Sequence, residues 1–237
     1  MVHWKRATLM AVLLALAHPL AAWSQSTALR AGTMQARLVA CTQCHGDEGR
    51  AGPDGYYPRI AGKPADYLFN QLIAFRDGER SYRPMTHLLT FLSDDYLKEM
   101  AAWFADQHPP YPDPAPSRQS ASDRERARAL IFDGDVGREI PACASCHGQD
   151  LGGRLPAIPG LLGLPHDYIG SQFGAWANGL RRSLAPDCMA VLAKRLAPEE
   201  VSAIAAWLSS QRVPVDYRPG ARPAEPLPMV CGSHPEP

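Results

Sequence analysis

Cys41-Thr-Gln-Cys44-His45-Gly46 and Cys143-Ala-Ser-Cys146-His147-Gly148 are two copies of one pattern, and their reading decides the fold. With six cysteines and eight histidines in 237 residues, chance supplies about 0.005 such runs, so the pair is no accident. A four-cysteine zinc site also uses paired CxxC but has no need of a histidine directly after each pair. A thioredoxin-like redox pair would need a βαβ pattern around it, and neither copy has one. The pattern that remains is covalent haem attachment. Cys41, Cys44, Cys143 and Cys146 would form thioethers with two haem c groups, and His45 and His147 would ligate iron.

Working outward, the two halves align beyond these motifs. Pro58-Arg-Ile-Ala-Gly62 stands beside Pro156-Ala-Ile-Pro-Gly160. Asp66-Tyr67, Gln71, Phe75, Gly78 and Arg80 then match Asp167-Tyr168, Gln172, Trp176, Gly179 and Arg181 at a constant offset of 101. After a three-residue insertion the offset becomes 104, pairing Leu92, Ala101-Ala102-Trp103 and Gln107 with Leu196, Ala205-Ala206-Trp207 and Gln211. Such a repeat predicts two copies of one small fold.

Each copy reads as helices joined by irregular loops, with strand signals nearly absent. Pro64 to Asp77 carries Leu68, Leu72 and Phe75 on one face. Ser93 offers an N-cap to a helix with Leu97, Met100, Ala101 and Phe104 at i, i+3, i+4 and i+7. Pro198, Glu199 and Glu200 open its counterpart, striped by Val201, Ile204, Ala205 and Leu208. The expected organisation is all-α: a signal peptide over 1–24, a first domain over 25–108, a Pro-rich linker over 109–122, a second domain over 123–212 and a Pro-rich tail over 213–237.

Residues 1–24 have a basic start at Lys5 and Arg6, an apolar run from Ala7 to Ala17, and small residues Ala21, Ala22 and Ser24. This is a secretory signal pattern with cleavage expected between Ala22 and Ser26. The run breaks at His18-Pro19, short of the roughly 20 residues that span a bilayer, and no later stretch is long and apolar enough to do so. The expected mature chain has no transmembrane segment and sits in the periplasm. It has 22 basic against 24 acidic residues, a net charge near −2, which offers no positive field for nucleic acid.

A haem held by histidine on one side takes a ligand, a water or a vacancy on the other. Met85, forty residues after His45, and Met189, forty-two after His147, fall in matching positions between the helices, in what read as non-helical loops. Both are the expected sixth ligands; ordinary core filling is the alternative for a single methionine. His87 is a possible substitute for Met85. Cys188, directly beside Met189, could also take the iron as a thiolate. An even cysteine count favours a Cys188–Cys231 disulfide instead, worth roughly 4 kcal/mol on the chain-entropy model and able to pin the tail to the second domain.

With these residues quoted, the chain resembles the cytochrome c4 family of dihaem class I cytochromes over most of residues 30–212. The resemblance also rests on Tyr57-Pro-Arg-Ile-Ala-Gly62, Arg83-Pro-Met85, Ile140-Pro-Ala142 and Leu155-Pro-Ala-Ile-Pro-Gly160. It implies two tandem class I cytochrome c domains packed about a pseudo-twofold axis, His/Met ligation, and an electron carrier between redox proteins such as a dehydrogenase and a membrane oxidase. It also implies that Pro58 and Pro156 supply the carbonyls that orient His45 and His147. Two other readings stay open. One is a catalytic dihaem enzyme resembling thiosulfate dehydrogenases, with Cys188 on iron and Arg181-Arg182 nearby. The other is a subunit docked into a larger oxidoreductase through the tail.

Overall fold

A computed structural model describes residues 32–52, 55–114, 116–117 and 119–234. The expected signal segment lies outside the described residues. The chain forms ten α-helices, two short 3-10 turns and one small hairpin among the described residues. In the first half these are α1 (Met34–Arg37), α2 (Val39–His45), α3 (Ala65–Arg76), α4 (Arg83–Leu89) and α5 (Asp94–Ala105). In the second they are α6 (Ala121–Phe132), α7 (Cys143–His147), the strands β1 (Gly153–Arg154) and β2 (Ile158–Pro159), α8 (His166–Ala177), α9 (Cys188–Arg195) and α10 (Pro198–Ser209).

Each half has its own core. Around α3 and α5, Leu38, Leu68, Phe75, Leu89, Leu97, Met100, Ala101 and Phe104 are buried together. The predicted stripe of α5 is the one that packs, and Ser93 caps it by accepting from the Tyr96 N–H. In the second half α10 lies between α6 and α8, burying Ile204, Ala205 and Leu208 with Ala127, Leu130, Ile131 and Ile169. Glu200, fully buried in the first turn of α10, accepts from the Ala197 N–H and from Arg126 and Arg138 at 2.9 Å each.

Two expectations from sequence need correction. Met85 and Met189 lie in the first turns of the short helices α4 and α9, not in loops. Pro84 suits the opening of α4, and Asp187 caps α9 by accepting from the Ala190 N–H. Helices of seven and eight residues leave little periodicity to read. Second, Pro156 does not match Pro58. It sits in the turn of the β1–β2 hairpin, and the counterpart of Pro58 is Pro159. The Ile60 N–H donates to the Gly49 carbonyl as Leu161 does to Leu151, both at 2.9 Å, and Gly62 and Gly163 share a left-handed φ of about 70°. The offset of 101 therefore begins at Pro58, and the hairpin hides it.

The halves pack through reciprocal contacts. Arg80 and Arg181 face each other in an isolated antiparallel bridge. Ser81 N–H donates to the Leu180 carbonyl at 2.8 Å, and Arg182 N–H to the Glu79 carbonyl at 2.7 Å. Each contact has its image under exchange of the halves, as the expected pseudo-twofold requires. The Pro-rich connector is held rather than loose: Arg59 Nη2 donates to the Pro109 carbonyl at 2.5 Å and its guanidinium stacks 3.7 Å over Tyr111. Tyr111 in turn meets Tyr217 of the tail edge to face.

Candidate haem sites

The eight residues singled out from sequence line one continuous cavity of about 1560 Å³: Cys41, Cys44, His45 and Met85 in the first half, Cys143, Cys146, His147 and Met189 in the second. No three of His, Cys, Asp and Glu converge among the described residues, so the cysteine pairs do not meet around one metal ion. Met85 and Met189 are both half-buried. His87 is exposed and outside the cavity wall, which removes the geometric case for it as a substitute.

Both histidines are oriented in the same way. His45 Nδ1 donates to the Pro58 carbonyl at 2.9 Å and His147 Nδ1 to the Pro159 carbonyl at 2.7 Å. A carbonyl only accepts, so Nδ1 carries the proton and Nε2 keeps its lone pair. Burial holds both imidazoles below the usual histidine range, with the charge of Arg80 adding to this at His45 and that of Lys63 at His147. Neutral imidazole with a fixed tautomer is the form that binds iron. Burial also pushes the Cys143 thiol up to about 11 and raises that of Cys41. Such surroundings disfavour a thiolate and are indifferent to an uncharged thioether.

Charge gives a second test of fit. Arg59, Lys63, Arg80 and Arg181 are each at least nine-tenths buried and line the cavity. None forms an ion pair with a protein carboxylate among the described residues. Their partners are neutral: the carbonyls of Pro109, Pro110 and Gly160, and the side chains of Gln71, Gln172, Tyr67 and Tyr168. Burial, with the Arg59 charge adding to it, pushes the Lys63 ammonium down to about 7. Desolvated cations without anions are costly, and a pair of haems brings two propionates each to such a wall. The apolar, twofold cavity, the paired cysteines, the bare Nε2 atoms and the uncompensated cations all fit two haem c groups.

Cys188, which could have been a thiolate ligand, is bonded to Cys231, with Cα atoms 5.3 Å apart. That bond brings the tail to the second site, where Met229, Cys231 and His234 join the cavity wall. Arg181, considered as part of a substrate-binding pair, instead serves the interface: its Nη2 donates to Gln71 at 2.8 Å and to Tyr67 at 3.3 Å. The buried cations Arg59 and Lys63 were not foreseen, because a lysine or arginine in sequence reads as surface.

No protein-family model matches the chain. A thiosulfate dehydrogenase electron acceptor from Thiomonas intermedia (strain K12) is 34% identical over 174 residues, 73% of this chain and 79% of the relative. Cytochrome c4 from Pseudomonas aeruginosa is 30% identical over 176 residues, covering 73% of this chain and 85% of the relative. The crystal structure of reduced recombinant cytochrome c4 from Pseudomonas stutzeri superposes with a TM-score of 0.65 at 26% identity, over 75% of this chain and 96% of that one. Fold, cavity and likeness together define a dihaem c-type cytochrome of two tandem class I domains. The chain belongs to the cytochrome c4 family. Its cofactors are accordingly two covalently bound haem c groups, and its class of work is electron transport.

Proposed function

We propose that the chain is a periplasmic electron carrier that takes electrons from a sulfur-oxidising dehydrogenase and delivers them to a respiratory oxidase. In this reading Cys41 and Cys44 hold the first haem and His45 and Met85 its iron, while Cys143, Cys146, His147 and Met189 do the same for the second. The observation that carries it is the matched placement of Met85 and Met189 in the first turns of α4 and α9, on the same cavity as the two oriented histidines.

When bound, each haem supplies an iron that changes by one electron between ferric and ferrous. The protein's residues do the rest. Pro58 and Pro159 fix the imidazoles through Nδ1, the thioethers of Met85 and Met189 would supply the further iron ligands, and buried aliphatic side chains such as Leu68, Leu89 and Ile169 exclude water. A thioether ligand favours a higher potential than a second nitrogen would. A site closed on both sides carries electrons and binds no substrate.

The likeness to the Thiomonas thiosulfate dehydrogenase electron acceptor supports a thiosulfate-oxidising enzyme as donor. The basic start, apolar run and small-residue exit of residues 1–24 support the periplasm. Among the described residues no helix is long and apolar enough to cross a membrane. The Cys188–Cys231 bond counts against the chain itself oxidising thiosulfate through a Cys188 thiolate. Haem reduction followed in a spectrophotometer tests the reading: thiosulfate alone should leave the purified chain oxidised, and a catalytic amount of a thiosulfate-oxidising dehydrogenase should reduce both haems. Fast reduction by thiosulfate alone, abolished by Cys188→Ala, would replace carrier with enzyme.

A further inference from the structure

Of the four buried cations at the cavity, Arg80 and Arg181 are images of each other at the offset of 101. Lys63 has no image. Its counterpart at the offset of 101 is Leu164, which carries no charge. Lys63 belongs to the first domain, in the turn just before α3, yet its Nζ donates to the Gly160 carbonyl of the second domain at 2.6 Å. Gly160 follows Pro159, whose carbonyl holds His147. Lys63 is 5% exposed, and among the described residues its ammonium forms no ion pair with a carboxylate. The other cation without an image, Arg59, is held on its own side by the connector carbonyls and the Tyr111 ring.

We propose that Lys63 is a potential-setting residue acting across the domain interface: an ammonium supplied by the first domain raises the reduction potential of the second haem and makes that potential depend on domain packing. The proposal rests on the two-haem reading above. The physics is charge in a poorly screened place. Oxidising an iron adds one positive charge, and a buried cation whose charge already reaches the proximal histidine disfavours that addition. The lysine also donates to the Gly160 carbonyl, one peptide beyond the Pro159 carbonyl that orients His147, and so stiffens that segment. Lys63 touches neither haem ligand, so it is a positioning and tuning residue.

The test is a spectroelectrochemical titration at about pH 6, where a lysine held down at about 7 still carries its charge, of the full dihaem protein carrying Lys63→Met, Lys63→Gln or Lys63→Arg, with haem content measured on each sample. Met85→Ala, made separately, marks which wave belongs to the first haem. Lys63→Met and Lys63→Gln should lower the second potential by about a tenfold change in oxidised-to-reduced ratio, ~59 mV for one electron, and leave the first in place. Lys63→Arg should stay close to the parent. Gln keeps a donor for the Gly160 carbonyl and tolerates the site if Met does not, so the test survives a poorly folding variant. Unchanged potentials in the neutral variants, equal shifts of both haems, or an Arg variant that falls as far as Met would each overturn the assignment while leaving the carrier reading intact. A parent protein with one haem would remove the underlying reading itself, before any variant is made.

Discussion

Arg80 and Arg181 meet as an antiparallel backbone bridge across the domain interface, and each guanidinium spans to the other domain's glutamine, Arg80 to Gln172 at 2.7 Å and Arg181 to Gln71 at 2.8 Å. Each also holds the glutamine of its own half, Arg80 to Gln71 of α3 at 3.0 Å and Arg181 to Gln172 of α8 at 2.8 Å. The four side chains thus form one closed ring of donors and acceptors where the two halves touch, its arginines buried and its glutamines half-buried.

Loss of either arginine should loosen the packing of the domains. Hydrogen bonds to a charged group contribute roughly 1.5–3 kcal/mol each, so Arg181→Leu should cost about 3 kcal/mol or more. Because both arginines share both glutamines, the double variant Arg80→Leu/Arg181→Leu should cost clearly less than the two single losses added together. Urea unfolding midpoints of the four proteins check this; strict additivity would show that the ring does not act as a unit.

Glu200 should make the second domain acid-sensitive. Hydrogen bonds from Arg138 hold its carboxyl down at about 2 against the opposing effect of burial, with the Ala197 N–H and Arg126 helping. A carboxylate whose folded value is depressed stabilises the fold fully above the unfolded value, about 4.3, and loses that contribution as the pH falls toward 2. With the outer faces of Arg126 and Arg138 in solvent, the gain at neutral pH is about 2 kcal/mol. Glu200→Gln should remove it, so that parent and variant converge in stability below pH 3 and diverge above pH 5.

The disulfide should matter for stability and not for iron. Cys188 and Cys231 lie 43 residues apart, and closing such a loop removes roughly 4 kcal/mol of chain entropy from the unfolded state. Cys188→Ala/Cys231→Ala should therefore melt at lower temperature and expose residues 213–234 to proteolysis, with both sulfur-to-iron charge-transfer bands retained. A parent with one methionine band and a thiolate-type band that disappears in that variant would place Cys188 on the iron.

Much of the site was readable because its chemistry needs fixed spacings: the two CxxCH runs, the paired methionines and the repeat around Gln71 and Gln172. Other parts were concealed for physical reasons. The hairpin of residues 153–159 offers a false match, Pro156 to Gly160, that outscores the true one, Pro159 to Gly163, because the false one keeps the proline, the isoleucine and the glycine while the true one keeps only the proline and the glycine as identities. α6 went unseen because Asp123, Arg124, Glu125, Arg126 and Arg128 crowd its solvent face, leaving Ala127, Leu130 and Ile131 as its buried contribution. Lys63 and Arg59 were passed over because nothing local marks a cation for burial; only the opposite domain and the connector bury them.

The most direct test of the central claim is the near-infrared sulfur-to-iron charge-transfer band of the oxidised protein, measured per haem against a pyridine haemochrome count, in the parent, Met85→Ala and Met189→Ala. The account predicts two haems and two band equivalents in the parent, one in each variant, with a lowered potential at the haem that lost its methionine and covalent attachment intact. A parent with a single band equivalent, or a Met189→Ala protein with an unchanged band and unchanged potentials, would contradict it.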